Sequence, residues 1–286
     1  MSAFALALVL AGACCHAWWN LILKRTGGGT GFFLLFSGFS AILLAPVAIA
    51  VWWIEQPVMG WQQWSMMGLS ALLHLLYFLA LDHGYKHGDL SIVYPLARGT
   101  GPVLTMGGAI LLLGERPTVI AIGGAFLIAG AVLMLVGDPR KLRESGNLRG
   151  VAFALLTGCL IASYTLADKQ SVAVLLIPPI VFDWCANVMR WCLLTPLALR
   201  NRAGIRAAWK NHRKEALYVA ILSPLSYILA LTAMRFTPVS YVAPAREVSI
   251  LIATVLGAKV LAEGDARRRL AAAVLMIAGL AALALG

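Results

Sequence analysis

Ten apolar stretches, each of a length that crosses a lipid bilayer as a helix, make up most of this sequence. Charged residues, glycines or prolines separate each stretch from the next. Only helices and closed barrels satisfy every backbone hydrogen bond inside lipid, and stretches of this length fit helices. We therefore predict an all-α integral membrane protein with ten transmembrane helices, which span residues 2–23, 31–54, 65–83, 90–113, 118–137, 148–167, 174–199, 215–234, 239–262 and 268–285.

The composition excludes an ordinary soluble protein, because 61% of the residues are hydrophobic and only 12% are charged. The mean hydropathy of +0.85 indicates that lipid is the solvent for most of the surface. A net charge of +11 could indicate nucleic-acid binding in a soluble protein, but here we attribute it to basic loops on the cytoplasmic side of the membrane. No soluble domain is predicted, since the longest polar linker runs only from residue 200 to residue 215.

The two halves of the sequence repeat each other. Several short motifs of the first half return in the same order in the second half, at an offset of 145 to 150 residues. Arg98 and Glu115 lie 17 positions apart, and Arg246 and Glu263 have the same separation. The longer matches are YFLAL at 77–81 with YILAL at 227–231, and SIVYP at 91–95 with SYVAP at 240–244.

The repeat predicts a first five-helix unit at 1–144 and a second at 145–286. Because five is an odd number, the second unit must enter the membrane from the opposite side, which makes the repeat an inverted one. Inverted repeats are typical of secondary transporters, whose substrate site lies between the two halves near the middle of the bilayer. We therefore expect the functional residues where the two units meet.

Lysines and arginines of the predicted loops lie almost entirely on one side of the membrane. Sixteen lie in or beside the loops that follow the first, third, fifth, seventh and ninth helices, against three on the opposite side. Because cytoplasmic loops carry the excess of basic residues, we expect these five loops in the cytoplasm. Met1 and Gly286 are then periplasmic, in a multi-pass protein of the bacterial cytoplasmic membrane.

Charged residues also lie inside the predicted spans, where a charge is costly and must face a cavity or a partner. Arg98 and Arg246 occupy equivalent places in the fourth and ninth helices, shortly after prolines that loosen each helix. They either contact a substrate, or they have a structural role only, in which they cap carbonyl groups or pair with Glu247. Glu247 is also a proton-coupling candidate if transport is driven by protons, because its charge could respond to the arrival of a substrate.

The seventh helix carries a polar stripe, since Asp183, Asn187 and Arg190 follow one another at spacings of four and three residues. The second helix, which is its copy, lacks such a stripe, so the two halves differ at this place. The stripe either binds a substrate with chemically different ends or forms an internal ion pair that orders the bundle.

Aromatic and polar side chains of other helices complete the predicted substrate-binding set. Aromatic residues with polar tips can line a pocket and hold a cationic or apolar group. For any single aromatic residue, packing or a place at the membrane interface is the alternative. Beyond the arginines and the polar stripe, the residues assigned to substrate binding are His16, Trp19, Asn20, His74, Tyr77, Tyr94, Tyr164 and Tyr227.

Neither a metal nor a cofactor is expected. The five cysteines lie in apolar stretches without a Cys-x-x-Cys pair, and the sequence contains no motif for nucleotide hydrolysis or zinc catalysis. The fifth and tenth helices carry small residues at a spacing that favours close helix packing, which leaves both a monomer and a homodimer open. These small residues are Ala121, Ala125 and Ala129 in one helix, and Ala278 and Ala282 in the other.

A sequence motif adds to this pattern. HAWWN at 16–20 is followed by Lys24, Pro95 lies in the fourth helix, and Gly114 and Glu115 precede a glycine-rich helix. Together with ten helices in two inverted copies, these residues resemble the EamA family of the drug/metabolite transporter superfamily over nearly the whole chain. The resemblance implies a secondary transporter that works by alternating access, and not an enzyme.

The buried arginines favour a small polar metabolite with an anionic group, amino-acid-like and either zwitterionic or anionic, which Arg98 and Arg246 bind between the halves. One alternative is an exporter of organic cations or aromatic drugs, in which the aromatic residues carry recognition. Another is a membrane-embedded enzyme that uses His16, His74 or the acidic groups on a lipid. The expected partners are the small-molecule substrate, membrane lipid and, if they drive transport, protons; nucleic acid is not expected.

Overall fold

The computed structural model describes residues 1–87, 90–136, 148–258 and 266–286. Within these ranges the regular structure is entirely helical, which confirms the predicted all-α class. The helices are α1 (Ala3–Thr26), α2 (Thr30–Glu55), α3 (Trp61–His87), α4 (Leu90–Leu112), α5 (Val119–Val136), α6 (Leu148–Ala173), α7 (Pro179–Leu199), α8 (Arg202–Phe236), α9 (Val239–Arg246), α10 (Val248–Ala258) and α11 (Ala266–Leu285).

The first helix has ends that its sequence explains. The Ser2 hydroxyl accepts a hydrogen bond from the backbone N–H of Ala5 at 3.2 Å, which satisfies one of the free donors at the helix start. Gly27, at φ 72°, ends the helix in the left-handed conformation that glycine adopts without strain. The next two glycines also have positive φ, so the run of three turns the chain sharply into α2.

The outer surface is that of a membrane protein. Five described helices are long and apolar enough to cross a bilayer: α1, α2, α3, α6 and α8. Large apolar side chains point outwards along the bundle, for example Ile42, Leu111 and Val119, which are 73%, 83% and 85% exposed. An apolar surface of this kind is stable in lipid and would aggregate in water.

Several predicted boundaries differ from those of the structure. The sixth predicted span ended at residue 167, but α6 continues to Ala173, and α7 begins only at Pro179 because the Pro178-Pro179 pair starts a helix well. The predicted linker at 200–215 is mostly helical, since α8 begins at Arg202, where the Asn201 side chain accepts a hydrogen bond from Gly204 N–H at 3.0 Å. The backbone leaves the helical conformation at His212 (φ −133°, ψ 20°), so α8 is kinked there and its membrane-crossing part begins close to the predicted residue 215.

The ninth predicted span is broken into two helices. Glu247 lies between α9 and α10, three residues after Pro244, which cannot donate a backbone hydrogen bond. The start of α9 is capped from α4–α5, because the Glu115 carboxylate accepts hydrogen bonds from the backbone N–H groups of Val239 and Ser240 at 2.8 and 2.9 Å. The last residues of this predicted span, 259–262, lie outside the described ranges, as does Glu263.

Helices of the first half pack on helices of the second half. The main pairs are α1 with α8, α2 with α7 and α8, α3 with α6, α4 with α6, and α5 with α11. In the last pair the predicted small residues Ala121, Ala125 and Ala129 are buried inside the chain. The predicted unit boundary at 144/145 lies outside the described residues, and the inverted repeat stays a prediction.

One end of the bundle is closed by polar contacts. The Met1 amino group donates to the carbonyl oxygen of Ala284 at 3.3 Å. The Lys169 ammonium group donates to the carbonyl oxygens of Met234 and Thr237 at 2.6 and 3.0 Å, at the C-terminal end of α8. Together with the Glu115 cap, these contacts join the N-terminus to α11, α6 to α8, and the α4–α5 connection to α9 at this end.

Candidate functional site

A cavity of about 140 Å³ lies between the helices of the two halves. Its wall combines arginines, acidic and amide groups, hydroxyls and aromatic rings, which is the mixture of a binding pocket rather than of an apolar core. The residues that line it are His16, Trp19, Phe33, Phe36, Ser37, Ser40, His74, Leu75, Tyr77, Phe78, Arg98, Tyr164, Asp183, Asn187, Arg190, Leu194, Ser223, Pro224, Ser226, Tyr227 and Arg246.

The cavity brings together most residues of the predicted substrate-binding set. Two members of that set are not among the described residues that line it, Asn20 and Tyr94. The Asn20 amide donates to the carbonyl oxygen of His16 at 2.8 Å, so its side chain is engaged with its own helix. The predicted proton-coupling residue Glu247 is also not among the described residues that line the cavity. It contacts Arg98, which does line the cavity.

Arg98 of α4 is buried and already has a counter-charge. Its Nε atom lies 3.1 Å from Oε2 of Glu247, at the break between α9 and α10. Although the two atoms are close, they do not form an aligned hydrogen bond, so the contact is an ion pair held by proximity. Arg98 Nη2 also donates to Nε2 of His16 at 3.4 Å. Of the two interpretations of Arg98, this conformation therefore contains the pairing with Glu247.

Arg246 of α9 lines the same cavity but is bound differently. Its guanidinium carbon lies 5.0 Å from the centre of the Tyr227 ring, a cation–π arrangement. Within the described part of the chain, Arg246 forms no ion pair with a carboxylate. A guanidinium that faces a cavity without a counter-charge can accept an anionic ligand.

An internal ion pair between Asp183 and Arg190 was one of the two interpretations of the polar stripe of α7, and it is not formed in the structure. Arg190 donates from Nη2 to Oδ1 of Asn187 at 3.1 Å and makes no ion pair with Asp183. Asn187 in turn donates to the carbonyl oxygen of Ser37 on α2 at 3.0 Å. Asp183 is 5% exposed, and its Oδ2 atom has no hydrogen-bond donor among the described residues. In the described part of the chain, the stripe thus presents a carboxylate and a guanidinium that form no ion pair.

Aromatic rings form a second wall of the cavity. His74 stacks on Tyr164 with ring centres 3.9 Å apart, and it meets Tyr227 edge-on at 5.5 Å. Tyr77 meets Tyr164 edge-on at 5.9 Å. The Trp19 indole N–H is buried and has no acceptor among the described residues, so it can donate to a ligand at the cavity wall. These rings can enclose an apolar or cationic group of a ligand.

Several residues of this region were not predicted from the sequence. Phe33, Phe36, Ser37 and Ser40 of α2 and Ser226 of α8 line the cavity, but serine and phenylalanine at single positions give no sequence signal in a membrane helix. Asp168 of α6 is fully buried next to the cavity, where its carboxylate accepts a hydrogen bond from Tyr227. It was missed because the Asp168-Lys169 pair was assigned to the end of the span. Among the described residues there is no group of three histidine, cysteine or acidic side chains that could hold a metal ion.

The second half of the chain matches a family model. Residues 148–285 match the EamA-like transporter family, which confirms the predicted resemblance over that range. The UDP-N-acetylglucosamine transporter yea4 of Schizosaccharomyces pombe is 26% identical over 166 residues, which cover 54% of this chain and 51% of the relative. The chain thus spans about half the length of this curated relative.

The fold has also been seen in a crystal structure of another protein. That structure covers 100% of this chain and 98% of its own, with a TM-score of 0.76 and 16% sequence identity. At this level of identity the likeness concerns the fold alone. The comparisons together support a membrane transporter in general and do not select a substrate.

Proposed function

We infer that this chain, whose residues 148–285 match the EamA-like transporter family, acts as a membrane transporter over its whole length. The finer proposal is a secondary transporter of the bacterial cytoplasmic membrane that moves a small polar metabolite by alternating access. The two halves enclose the cavity, and they exchange partners in a regular way: α1 packs on α8, and α6 packs on α3. An exchange of this kind is what two inverted five-helix units would produce.

The charged residues around the cavity are the observation that supports the proposed substrate class. Arg246 faces the cavity without a carboxylate partner among the described residues, while Asp183 presents a carboxylate oxygen without a donor. A buried charge without a partner is costly, and a ligand that supplies the missing counter-charge relieves this cost. The metabolite is therefore amino-acid-like, with an anionic group on Arg246 and a cationic group near Asp183.

Arg98 takes part in a second step. In this conformation the Glu247 carboxylate forms an ion pair with Arg98. A ligand anion must therefore compete with this carboxylate for the guanidinium. If transport is driven by protons, protonation of Glu247 frees Arg98 for the substrate. Replacement of Glu247 by glutamine then removes the dependence of transport on the pH gradient, while exchange of substrate across the membrane persists.

A second candidate is the export of organic cations or aromatic drugs. The observation that favours it is the aromatic wall, in which His74, Tyr164 and Tyr227 lie edge-on or stacked against one another around the cavity. In this alternative Asp183 binds the cationic group, the aromatic rings determine which ligand binds, and the arginines have a structural role only. The two candidates differ in whether the loss of Arg246 weakens binding.

Binding measurements on Arg246 variants separate the two candidates. Ligand-induced thermal stabilisation of the purified chain is measured for panels of anionic, zwitterionic and cationic metabolites. With Arg246→Gln, we expect the apparent affinity for zwitterionic and anionic ligands to fall about 10-fold to 100-fold, since a hydrogen bond to a charged group contributes about 1.5–3 kcal/mol. Arg246→Lys should retain part of the affinity, because it keeps the charge but loses the bidentate geometry.

The matched control is Arg235→Gln, which removes an exposed arginine at the end of α8. It should leave binding unchanged. All variants are first checked for monodisperse elution. Unchanged binding of anionic ligands by a folded Arg246→Gln variant, or a preference of the wild-type chain for cations without an anionic group, would reject the proposed substrate class.

A further inference from the structure

Asp168 of α6 is a buried carboxyl group that the proposed binding step leaves unused. Its side chain is 0% exposed, and it is not among the residues that line the cavity. Oδ2 accepts a hydrogen bond from the Tyr227 hydroxyl, while Oδ1 has no aligned donor among the described residues. Asp168 also forms no ion pair within that part of the chain.

Among the described residues, the helices packed against this part of α6 bring polar groups near Asp168 but no cation within ion-pair distance. From α3, the Ser70 hydroxyl lies near the carboxylate, and His74 is held by the carbonyl oxygen of Ser70 at 2.9 Å. From α7, Asp183 and Arg190 act on it only over a longer distance.

The remaining charged groups near α6 are engaged elsewhere. Arg98 of α4 pairs with Glu247, and Arg246 of α9 lies on the ring of Tyr227 rather than on the carboxylate. Lys169 is the next residue in sequence, but its ammonium group binds the carbonyl oxygens of Met234 and Thr237 at the end of α8. Among the described residues, Asp168 is thus a buried carboxyl whose neighbouring donors, the hydroxyls of Tyr227 and Ser70, are both neutral.

A carboxylate in such a place is costly, and the binding of one proton removes the charge without any change in packing. A metal ion would need several further oxygen ligands, and no suitable group of acidic side chains surrounds Asp168 in the described residues. A proton is therefore the cation that fits this site.

We propose that Asp168 is a proton-binding site linked to the substrate cavity through Tyr227. The link is geometric: the hydroxyl of Tyr227 binds Asp168, and its ring faces both Arg246 and His74 at the cavity wall. A ligand anion that draws Arg246 away from the ring moves the tyrosine and with it the donor to the carboxylate. In that event the Asp168 carboxylate loses a donor that stabilises its charge, so the group takes up a proton from water, and it releases the proton when the hydrogen bond from Tyr227 forms again.

The role of this proton in transport rests on the proposed function, whereas the existence of the site does not. This separation matters for the test. The site is detected with protons alone, in the purified full-length chain, by infrared difference spectroscopy between two pH values at which the protein stays monodisperse. A protonated carboxyl has a carbonyl stretching band that disappears when the group ionises, and ¹³C labelling of aspartate shifts this band while leaving glutamate bands in place.

We expect an aspartate carbonyl band that titrates with pH in the wild-type chain and is lost in Asp168→Asn. Asp82→Asn is the matched control, because Asp82 is exposed and pairs with Lys86 at the surface. Asp183→Asn and Glu247→Gln should also retain the band. If Asp168→Asn does not fold, Tyr227→Phe replaces it, since removal of the hydrogen bond to the carboxyl should shift the frequency of the same band.

Two results would overturn the site. One is the absence of a titrating aspartate band from the wild-type spectrum, and the other is a band that persists unchanged in folded Asp168→Asn or keeps its frequency in Tyr227→Phe. Neither result bears on the binding of anions by Arg246, which is measured separately. Loss of anion binding in Arg246→Gln together with a missing aspartate band would therefore leave the transporter proposal standing and remove only Asp168.

Discussion

The pairing of Arg98 with Glu247 is the main difference between the expected and the observed site at the level of single residues. Both were singled out as charges inside the membrane, and both are buried in the structure, at 7% and 5% exposure. Their contact depends on the break between α9 and α10, which turns Glu247 towards α4. A sequence pattern gives the position of a residue along a helix, but it does not give the direction of a side chain at such a break.

Glu247→Gln should destabilise the folded chain, because it leaves Arg98 buried without a counter-charge. Loss of one partner of a buried ion pair costs about 3–5 kcal/mol of unfolding free energy. The measurement is reversible unfolding of the purified chain in detergent, followed by tryptophan fluorescence. Asp82→Asn breaks an exposed pair with Lys86 and should cost about 1 kcal/mol or less. Equal destabilisation by the two substitutions would contradict a stabilising role for the buried pair.

The site residues divide into those with a sequence signal and those without one. Arg98, Arg190, Arg246 and Asp183 could be selected because charges are rare and costly within apolar spans. The same argument should have included Asp168, but it was assigned to a helix end beside Lys169. The serines and phenylalanines of the wall could not be selected, since their pocket is formed only when helices from both halves meet.

Helix elements were predicted well in number and less well at their ends. The apolar stretches predict which segments become helices, because an apolar segment long enough to cross the bilayer must form a helix there. Helix ends depend on caps and packing that hydropathy does not contain. The segment after Asn201 is polar, yet it forms the first turns of α8 because Ala208 packs on Phe32 and Phe36 of α2 and Trp209 lies 6.0 Å from the Phe39 ring.

The contact between α5 and α11 depends on two glycines. A Cβ atom built at Gly124 would lie 2.7 Å from the carbonyl oxygen of Gly279, and the reverse contact is equally short. The two backbones therefore touch, and a side chain at either position would force them apart. The small-residue face predicted for close packing or for a dimer is used here within one chain.

Gly124→Leu should strongly destabilise the chain, whereas Gly123→Leu should not. A Cβ atom at Gly123 meets nothing within 4 Å, so the control adds the same side chain in the same helix without a clash. Overpacking of a close contact costs about 1–3 kcal/mol or more. The midpoint of thermal unfolding, measured in detergent for both variants, should fall only for Gly124→Leu. A similar midpoint for both would show that the α5–α11 contact adjusts easily.

At the scale of the whole molecule, the distribution of basic residues agrees with the two ends of the helix bundle that the structure shows. The chain closes one end of the bundle with the contacts of Met1, Glu115 and Lys169, which belong to the side that carries few basic residues. The other end contains the start of α8, where Arg202, Arg206 and Lys210 lie in exposed helical turns. Orientation in a membrane follows from this imbalance and not from the fold, which is compatible with either direction of insertion.

We therefore expect the start of α8 in the cytoplasm and the α2–α3 loop in the periplasm. In a background without the five native cysteines, Val58→Cys and Ala207→Cys place single thiols at exposed positions on opposite ends of the bundle. A membrane-impermeant maleimide added to intact spheroplasts should label Val58→Cys, and it should label Ala207→Cys only after the membrane is permeabilised. The reverse pattern would mean that Met1 and Gly286 are cytoplasmic, and equal labelling of both would mean dual orientation. Either outcome would overturn the assignment based on the distribution of lysine and arginine.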